Sequence, residues 1–426
     1  MEMGNSSKPR VAMIQDGARL HYLVPLALQE AGILERVYID WFVGRRSPEE
    51  MVARWVGKIR PHLGRKMLDR ACPELDPRHV WRNSPMALRL RLGMSKFRTS
   101  EDAYMWASRE TAKWVIREGF GEANALYGFV RNAAPEAFEA ARARGLRTAG
   151  DQMIAPLEIE VAEMKKQLRR WPGWNERETI EVHPHYQEFE RKIWELSDAM
   201  TCASPFVRDG LIAVGVPAER ITIIPYPSGD RAGEAAKRER KDGPLVVGFV
   251  GAVGLRKGAP WFLEVAKRFD PKRVRFVMVG KVMLDAGKLE SFSDRVEFVG
   301  AVPRSAVPQW LGRFDVFFFP STCEGSAGAV MEAMASGLPV LTTPNSGSLA
   351  RDGADGFVHS YDDVEGFRRA IQQLDDDRDL LLRMGESARR RVLDYDQNAY
   401  KNQLGEFFRR LVNPSGADRL GEPGTG

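Results

Sequence analysis

Short apolar runs alternate with amphipathic stretches through the first half of this chain of 426 residues. The apolar runs lie at 11–15, 37–40, 125–129, 146–150 and 199–203. Helix-like stretches separate them, notably at 20–31, 133–144 and 156–197. Runs of about five apolar residues, each followed by a helix, are typical of parallel sheets built from βαβ units. We therefore predict that residues 1–227 form one parallel α/β domain.

The same alternation restarts after a polar stretch at 228–244, which is read as a linker because it has almost nothing to bury. The later apolar runs lie at 245–250, 275–280, 296–300, 315–320 and 339–343. The predicted fold class is α/β, with two doubly wound Rossmann-like domains, the second at 245–396. Such sheets bind ligands at the carboxyl ends of their strands, so two that face each other enclose a central cleft.

The composition is that of a globular protein, with 43% hydrophobic and 28% charged residues, rather than a disordered or membrane-spanning one. Cys72, Cys202 and Cys323 stand far apart with no CxxC, which argues against a zinc site or a disulfide framework and fits a reducing compartment. The N-terminal residues lack the apolar stretch of a signal peptide, and no apolar run is long enough to span a membrane. We expect a cytoplasmic protein.

Positive charge is concentrated in one segment, 45–117, which we interpret as a helical insertion. It contains 17 Lys or Arg and 8 Asp or Glu, an excess of 9 against a net charge of +5 for the whole chain. It also contains Trp55, Trp81, Trp106 and Trp114. Basic side chains interleaved with aromatic ones suit an anionic membrane surface, a polyphosphate or nucleic acid. The alternative is a solvated helical insertion whose tryptophans belong to the core. Of these partners we expect a membrane surface and no nucleic acid.

Two glutamates stand eight positions apart in the stretch 320–340, among mostly small residues. Glu324 is predicted in a strand-to-helix loop, and Glu332 inside the helix that follows. Small side chains let a ligand approach the backbone, and the free amides at a helix start favour phosphate. A carboxylate on such a helix can accept hydrogen bonds from the vicinal hydroxyls of a ribose or hexose. The alternatives are a solvated helix glutamate at 332 and a helix-start acid at 324.

A glycine-rich turn follows the predicted strand at 245–250. Its glycines are spaced GxxGxxG, which is not the Rossmann fingerprint, and Gly258 follows Lys257 where a Walker P-loop has Ser or Thr. The turn delivers Arg256 and Lys257 to the start of a helix. Two adjacent cations beside free amides suit a diphosphate.

Together the two stretches resemble the retaining glycosyltransferases of family 4, which have the GT-B fold. Glu324 and Glu332 match the Glu-x7-Glu element of that family, and AspGlyAlaAspGlyPhe at 352–357 is similar to its post-strand segment. The resemblance is good over 199–412 and only general before it. It implies a closing helix at 397–412 that packs back toward the first domain, followed by a disordered tail at 413–426.

The resemblance also implies roles for particular residues. Glu332 would hold the donor ribose, Glu324 would face the transferred sugar, and backbone near Val302 would hold the base. Arg256 and Lys257 would neutralise the diphosphate leaving group. Sugar and phosphate would be contacted by backbone amides of Gly325, Ser326, Ala327, Gly328 and Ala329, and the phosphates would lie near Gly17. The acceptor would be a glycan or a lipid-linked glycan, and neither a cofactor nor a metal is expected.

The chain departs from the family pattern at several positions. Ser348 stands where an acid is usual, and the first domain lacks the usual histidine at the sugar, for which Asp151 or Gln152 is the candidate replacement on the acceptor side. His183 and His185 are too few ligands for a metal site. Two other functions stay open: a non-catalytic protein that binds nucleotide sugars or glycans, and a nucleotide-sugar epimerase.

Overall fold

A computed structural model describes residues 7–97, 99–174, 184–227 and 243–414. The first half contains a parallel sheet with the strand order β3-β2-β1-β4-β5-β6-β7. Its strands are β1 Val11–Gln15, β2 Leu34–Ile39, β3 Val80–Arg82, β4 Ala125–Phe129, β5 Arg147–Gln152, β6 Ala199–Cys202 and β7 Ile221–Ile223. The order reverses between β1 and β4, so the sheet is doubly wound as predicted.

Helices connect these strands on both faces of the first sheet. They are α1 Leu23–Glu30, α2 Pro48–Ile59, α3 Pro61–Leu68, α4 Ser84–Met94, α5 Ser100–Glu118, α6 Pro135–Ala143, α7 Leu157–Arg170, α8 Pro184–Leu196 and α9 Pro205–Ala213. Local signals explain where several of them begin. Ser47, Asn83 and Thr99 each accept a hydrogen bond from the backbone amide three residues later, which caps α2, α4 and α5.

The second half contains another parallel sheet, with the strand order β10-β9-β8-β11-β12-β13. Its strands are β8 Leu245–Val250, β9 Val274–Val279, β10 Val296–Gly300, β11 Val316–Phe319, β12 Val340–Thr342 and β13 Gly356–Val358. All four residues of β11 are buried, as expected for a central strand of a sheet that helices cover on both sides. The reversal of order here lies between β8 and β11.

The helices of the second half are α10 Ala259–Ala266, α11 Ala286–Glu290, α12 Val307–Arg313, α13 Gly328–Ala335, α14 Val364–Asp376, α15 Arg378–Leu393 and α16 Gln397–Val412. The last of them, α16, returns to the first sheet. Its Tyr400, Leu404, Phe407 and Phe408 are buried in the same cluster as β1 and β4, with the Tyr127 and Phe408 ring centroids 5.3 Å apart.

A second crossing between the halves is made by α7 and the turn after it. Trp171 is buried in the core of the second sheet, with its ring centroid 5.0 Å from that of Trp261 on α10. Gln167 accepts a hydrogen bond from the Trp261 indole at 2.8 Å. The predicted first domain, 1–227, therefore contributes part of the second core, which the alternation of apolar runs could not indicate.

The basic segment 45–117 is not purely a helical insertion, because β3 joins the edge of the first sheet within it. Its tryptophans divide between the two interpretations: Trp114 is 6% exposed and belongs to the core, whereas Trp55 is 63% exposed. Among the described residues, no helix has the length and apolar character needed to cross a bilayer. Most of the predicted linker (228–242) and of the predicted tail (415–426), and His183, lie outside the described residues.

Candidate active site

The carboxyl ends of the two sheets face each other. Gly325, in the loop after β11, lies so close to the Met153 backbone after β5 that a Cβ would collide with it. Ser204, after β6, donates a hydrogen bond to the Gly325 carbonyl at 2.6 Å. Ligands of doubly wound sheets bind at the carboxyl edge where the strand order reverses. The loops after β8 and β11 flank that point in the second sheet.

Hydrogen bonds to one backbone carbonyl hold these two loops together. The Arg256 carbonyl accepts hydrogen bonds from the Thr322 amide at 3.0 Å, the Ser321 hydroxyl at 3.0 Å and the Thr322 hydroxyl at 3.1 Å. Gly258 begins α10 with φ +74, and a Cβ there would collide with the Pro320 carbonyl. Only glycine adopts this conformation at such a close approach without strain. The glycine-rich turn therefore positions Arg256 and Lys257 against the loop that contains Glu324.

Glu324 bridges the two cations. Its Oε1 accepts a hydrogen bond from Arg256 Nη1 at 2.7 Å and forms an ion pair with Lys257 Nζ. The Glu324 side chain is 11% exposed, that of Lys257 20% and that of Arg256 34%. Burial lowers the pKa of Lys257, although the Glu324 carboxylate opposes this effect. Two cations against one carboxylate leave one net positive charge at the edge of the cleft.

The small residues after Glu324 have different surroundings. Gly325 and Ala327 are buried, Gly328 is exposed, and Ser326 and Ala329 are half-buried. Gly325 packs against the first domain through its Cα, at the Met153 backbone. Ala327 begins α13 without a side-chain cap, which leaves the first amides of that helix available to an anion.

Glu332 lies one turn further along α13, with its side chain 42% exposed. Arg304, from the turn after β10, reaches its carboxylate at 3.3 Å and is itself 93% exposed. Val302, on the same turn, is half-buried against the second core. The structure therefore brings Glu332 close to the turn that the resemblance assigns to the nucleotide base.

On the opposite side of the cleft, Gly17 follows β1 with φ +63. Its amide donates a hydrogen bond to Asp40 Oδ1 at 2.9 Å, and Arg70 forms an ion pair with the same carboxylate at 2.9 Å. Desolvation, reinforced by the Asp40 charge, raises the pKa of the neighbouring Asp16 to about 6. The loop is thus a fixed turn at the carboxyl edge of the first sheet, where Arg70 balances the charge of Asp40.

Asp151 and Gln152 were expected to face the acceptor, and the geometry corrects this. Asp151 is 2% exposed and accepts hydrogen bonds from the Tyr127 and Tyr226 hydroxyls, both at 2.9 Å. Gln152 is 1% exposed, donates to Glu190 at 2.8 Å and accepts from the Trp194 indole at 2.9 Å. Both side chains are enclosed within the first domain and satisfied there.

Sequence reasoning missed a cluster beside them. Arg131, just after β4, donates to Glu160 at 2.7 Å and to the Ala155 carbonyl at 2.8 Å, and pairs with Glu190 at 3.2 Å. Burial alone would lower the pKa of Arg131, but the two glutamates outweigh it and raise that pKa. The only sequence signal was the position of Arg131 at the end of a predicted strand.

This cluster lies across the cleft from the Glu324 loop. Burial raises the pKa of the Cys323 thiol to about 12, and the Glu160 charge adds to that rise while Arg131 opposes it. Glu190 is 2% exposed, whereas Glu160 and Arg131 keep 19% and 22% of their side chains exposed. Arg131 contacts Ala155, which lies two residues after Met153 against Gly325, so Glu160 is a partly accessible carboxylate on the first-domain side of the cleft.

The chain is similar to known glycosyltransferases. The model of the family glycosyl transferases group 1 matches residues 244–377. The lipopolysaccharide core biosynthesis glycosyltransferase LpsE of Rhizobium meliloti is 28% identical over 281 residues, 62% of this chain and 78% of LpsE. The amylovoran biosynthesis glycosyltransferase AmsK of Erwinia amylovora is 26% identical over 250 residues, 54% of this chain and 60% of AmsK.

Solved structures show the same fold. Sucrose-phosphate synthase from Thermosynechococcus elongatus superposes with a TM-score of 0.60 at 16% identity, over 96% of this chain and 100% of that one. Anabaena HepE, solved in complex with UDP and glucose, superposes with a TM-score of 0.55 at 15% identity, over 94% of this chain and 99% of that one. Residues 244–377 therefore match a group 1 glycosyl transferase domain, and the two parallel sheets have the GT-B fold of the solved glycosyltransferases.

Proposed function

We propose that the protein transfers a sugar from a nucleotide-diphosphate sugar to a glycan or lipid-linked acceptor, with retention of anomeric configuration. The observation that carries this proposal is the carboxylate of Glu324 held between Arg256 and Lys257 at the switch point of the second sheet. Fixed cations at this position stabilise negative charge that develops on a departing diphosphate.

The donor would lie along the carboxyl edge of the second sheet. Glu332 would accept hydrogen bonds from the ribose hydroxyls, and the turn containing Val302 would hold the base through its backbone. The uncapped start of α13, with Gly328 and Ala329, would add amides to the phosphate contacts that Arg256 and Lys257 make.

In the proposed reaction the bond between the anomeric carbon and the diphosphate oxygen breaks. The acceptor oxygen bonds to the same face of that carbon, and its proton passes to the departing phosphate. No nucleophilic side chain is required in this scheme, and Glu324 would orient the cations and face the sugar. The net positive charge of the site falls on the leaving group, where the transition state is most negative.

The names of the relatives suggest a process and a donor to test first. LpsE and AmsK are named for lipopolysaccharide core and amylovoran biosynthesis, and HepE was solved with UDP and glucose. We propose a role in polysaccharide or lipopolysaccharide assembly and a UDP-sugar donor.

The acceptor would approach from the first domain. Glu160 is partly exposed there, and Arg131 holds it through a hydrogen bond of 2.7 Å. A carboxylate so placed can accept a hydrogen bond from an acceptor hydroxyl. Glu160 therefore takes the acceptor-side role first considered for Asp151 and Gln152.

Attachment to the inner face of a membrane is part of the proposal, because the acceptor is expected to be lipid-linked. On α2, Met51, Trp55 and Ile59 are 69%, 63% and 64% exposed, and they lie four residues apart on one helix face. Arg54 and Lys58 on the same helix are also exposed. An apolar stripe flanked by cations is typical of helices that lie in the interface of an anionic bilayer.

Product analysis tests the proposal. The protein is incubated with UDP-glucose, UDP-galactose or UDP-N-acetylglucosamine and candidate glycan acceptors, and the products are identified by NMR. A new α-glycoside from an α-linked donor is expected. A β-glycoside would overturn retention, an epimerised donor would indicate an epimerase, and donor binding without turnover would indicate the non-catalytic alternative.

A further inference from the structure

An apolar groove of about 580 Å³ runs between α4 and α5 in the first domain. Leu88 and Leu92, one turn apart on α4, form one wall and are 60% and 63% exposed. Trp106 and Phe97 form the other, with ring centroids 5.6 Å apart. Gly93 lets the Trp106 ring lie directly against α4, because a Cβ at that position would collide with the ring. Two leucines and two aromatic rings thus form a continuous apolar lining.

The rim of this groove is cationic. Residues 85–97 contain Arg89, Arg91 and Lys96 and no Asp or Glu. Arg89 and Lys96 line the groove itself. Arg89 is 68% exposed and pairs with Glu110 on α5 at 3.0 Å, so Lys96 is the better placed of the two to meet a charged ligand.

The groove lies beside the acceptor side of the cleft. Helix α4 starts two residues after β3, at the carboxyl edge of the first sheet. One turn after Trp106 on α5, the Arg109 guanidinium lies 5.8 Å from the ring centroid of Phe189 on α8, one turn after Tyr186. The Tyr186 hydroxyl donates to the carbonyl of Arg131, the residue that holds Glu160. A molecule seated in the groove would therefore have its end near the proposed acceptor site.

Charge and composition favour an amphiphile as the occupant. A second copy of the chain meeting this face through two-fold symmetry would bring the cations of both copies together. A hydrocarbon chain with an anionic head satisfies both the lining and the rim.

We propose that this groove binds the hydrocarbon chain of the acceptor, a single-chain amphiphile whose phosphate head lies at Lys96. The identification of this amphiphile as the acceptor rests on the proposed function. The binding site itself does not depend on turnover, and its test uses no donor.

Titration calorimetry with farnesyl phosphate below its micelle concentration tests the groove, with farnesol and inorganic phosphate as separate probes. Saturable binding of farnesyl phosphate and weaker binding of farnesol are expected, with no competition from inorganic phosphate. The double variant Leu88→Gln/Leu92→Gln is expected to bind both isoprenoids roughly tenfold more weakly. Lys96→Glu is expected to weaken only farnesyl phosphate. Leu393→Gln on α15, where the leucine is 44% exposed, is the matched control and should bind as the wild type does.

Because Leu88 and Leu92 are exposed, the variants should unfold at the same temperature as the wild type. Equal affinity of the double variant and the wild type, or competition by inorganic phosphate, would overturn the proposal. The proposal would also be overturned if the wild type forms a dimer that the double variant dissociates, and farnesyl phosphate does not bind. The affinity for UDP, measured on the same samples, reports on the donor site, so a failure here is distinguishable from a failure of the proposed function.

Discussion

Glu332 and Arg304 form an exposed ion pair at the place proposed for the ribose. Such pairs contribute about 0–1 kcal/mol, so a ribose diol can displace Arg304 at little cost. Loss of charge-assisted bonds to the ribose in Glu332→Ala should cost about 1.5–3 kcal/mol, roughly a tenfold to hundredfold rise in the Kd for UDP. Calorimetry with UDP measures this. Arg304→Ala is the control and should not weaken binding, and an unchanged Kd in Glu332→Ala would remove Glu332 from the donor site.

In the proposed reaction, Arg256 and Lys257 would supply the charge that a metal ion supplies in other transferases. Lys257→Met is expected to lower kcat about a hundredfold or more, since it would remove a half-buried cation from the departing diphosphate. Lys267, directly after α10, has a side chain that is 46% exposed. Lys267→Met is therefore the control and should leave kcat unchanged. EDTA should not alter the wild-type rate. Activity that EDTA abolishes and magnesium restores would contradict this prediction.

Helix α7 contains both Glu160 and a matched control residue, Glu158. Glu158 is two residues earlier on α7 and 58% exposed, with Arg191 at 3.8 Å. Glu160→Gln should raise the KM for the acceptor found in the product screen about tenfold, because a charged acceptor of a hydrogen bond becomes neutral. The Kd for UDP should not change. Glu158→Gln should change neither value, and equal effects of the two variants would argue against a role for Glu160.

The two sides of the site differ in how far the sequence predicts them. Arg256 and Lys257 are adjacent, and Glu324 and Glu332 lie within one strand–loop–helix unit, so local motifs were sufficient to find them. Arg131, Glu160 and Glu190 come from β4, α7 and α8, and only tertiary packing brings them together. Asp151 and Gln152 were misjudged because β5 continues through Gln152, so both side chains lie within a buried strand and not in the loop after it.

At the scale of elements, α2 is the clearest agreement. The segment 45–117 is predicted to contain helices, and α2 spans Pro48–Ile59 within it. Its exposed apolar stripe could not be predicted, since an amphipathic pattern normally marks a face that packs on the core. The stretch 156–197, predicted as one amphipathic unit, is divided into α7 and α8, and Pro172 and Pro184 are consistent with that division.

The exposed stripe of α2 leads to a prediction about membrane binding. The protein should sediment with vesicles that contain phosphatidylglycerol but not with neutral vesicles, and salt should release it. Reversing the charges of Arg54, Lys58, Arg65 and Lys66 should abolish sedimentation, since each contributes about 1 kcal/mol near an anionic surface. All four are exposed, so folding should be unaffected. Equal sedimentation with both kinds of vesicle would contradict an electrostatic contact.

At the scale of the whole molecule, both chain segments at the ends of the second domain pack around Asp151. Tyr226, which donates a hydrogen bond to Asp151, follows β7 on the way to the second domain. Tyr400 on α16, which returns from the second domain, has its ring centroid 6.0 Å from that of Tyr226. Burial raises the pKa of Asp151 to about 7, although the hydrogen bonds from Tyr226 and Tyr127 oppose the rise. The joint between the domains therefore encloses a carboxyl group that titrates near neutral pH.

This raised pKa makes stability depend on pH in a direction that can be tested. The folded protein keeps the Asp151 proton up to about pH 7, whereas the unfolded chain loses it near 3.8, the ordinary pKa of an aspartate. The folded state therefore binds more protons between these values, and the contribution of Asp151 to stability falls as pH rises, by up to about 1.4 kcal/mol per pH unit. Asp151→Asn cannot titrate and keeps polar atoms beside both tyrosines. The difference in melting temperature between this variant and the wild type should shift in favour of the variant from pH 5 to 7 and then level off. The same measurement on Asp209→Asn, whose carboxylate is 61% exposed, should show no such trend. A pH-independent difference for Asp151→Asn would mean that Asp151 is not protonated in the folded protein.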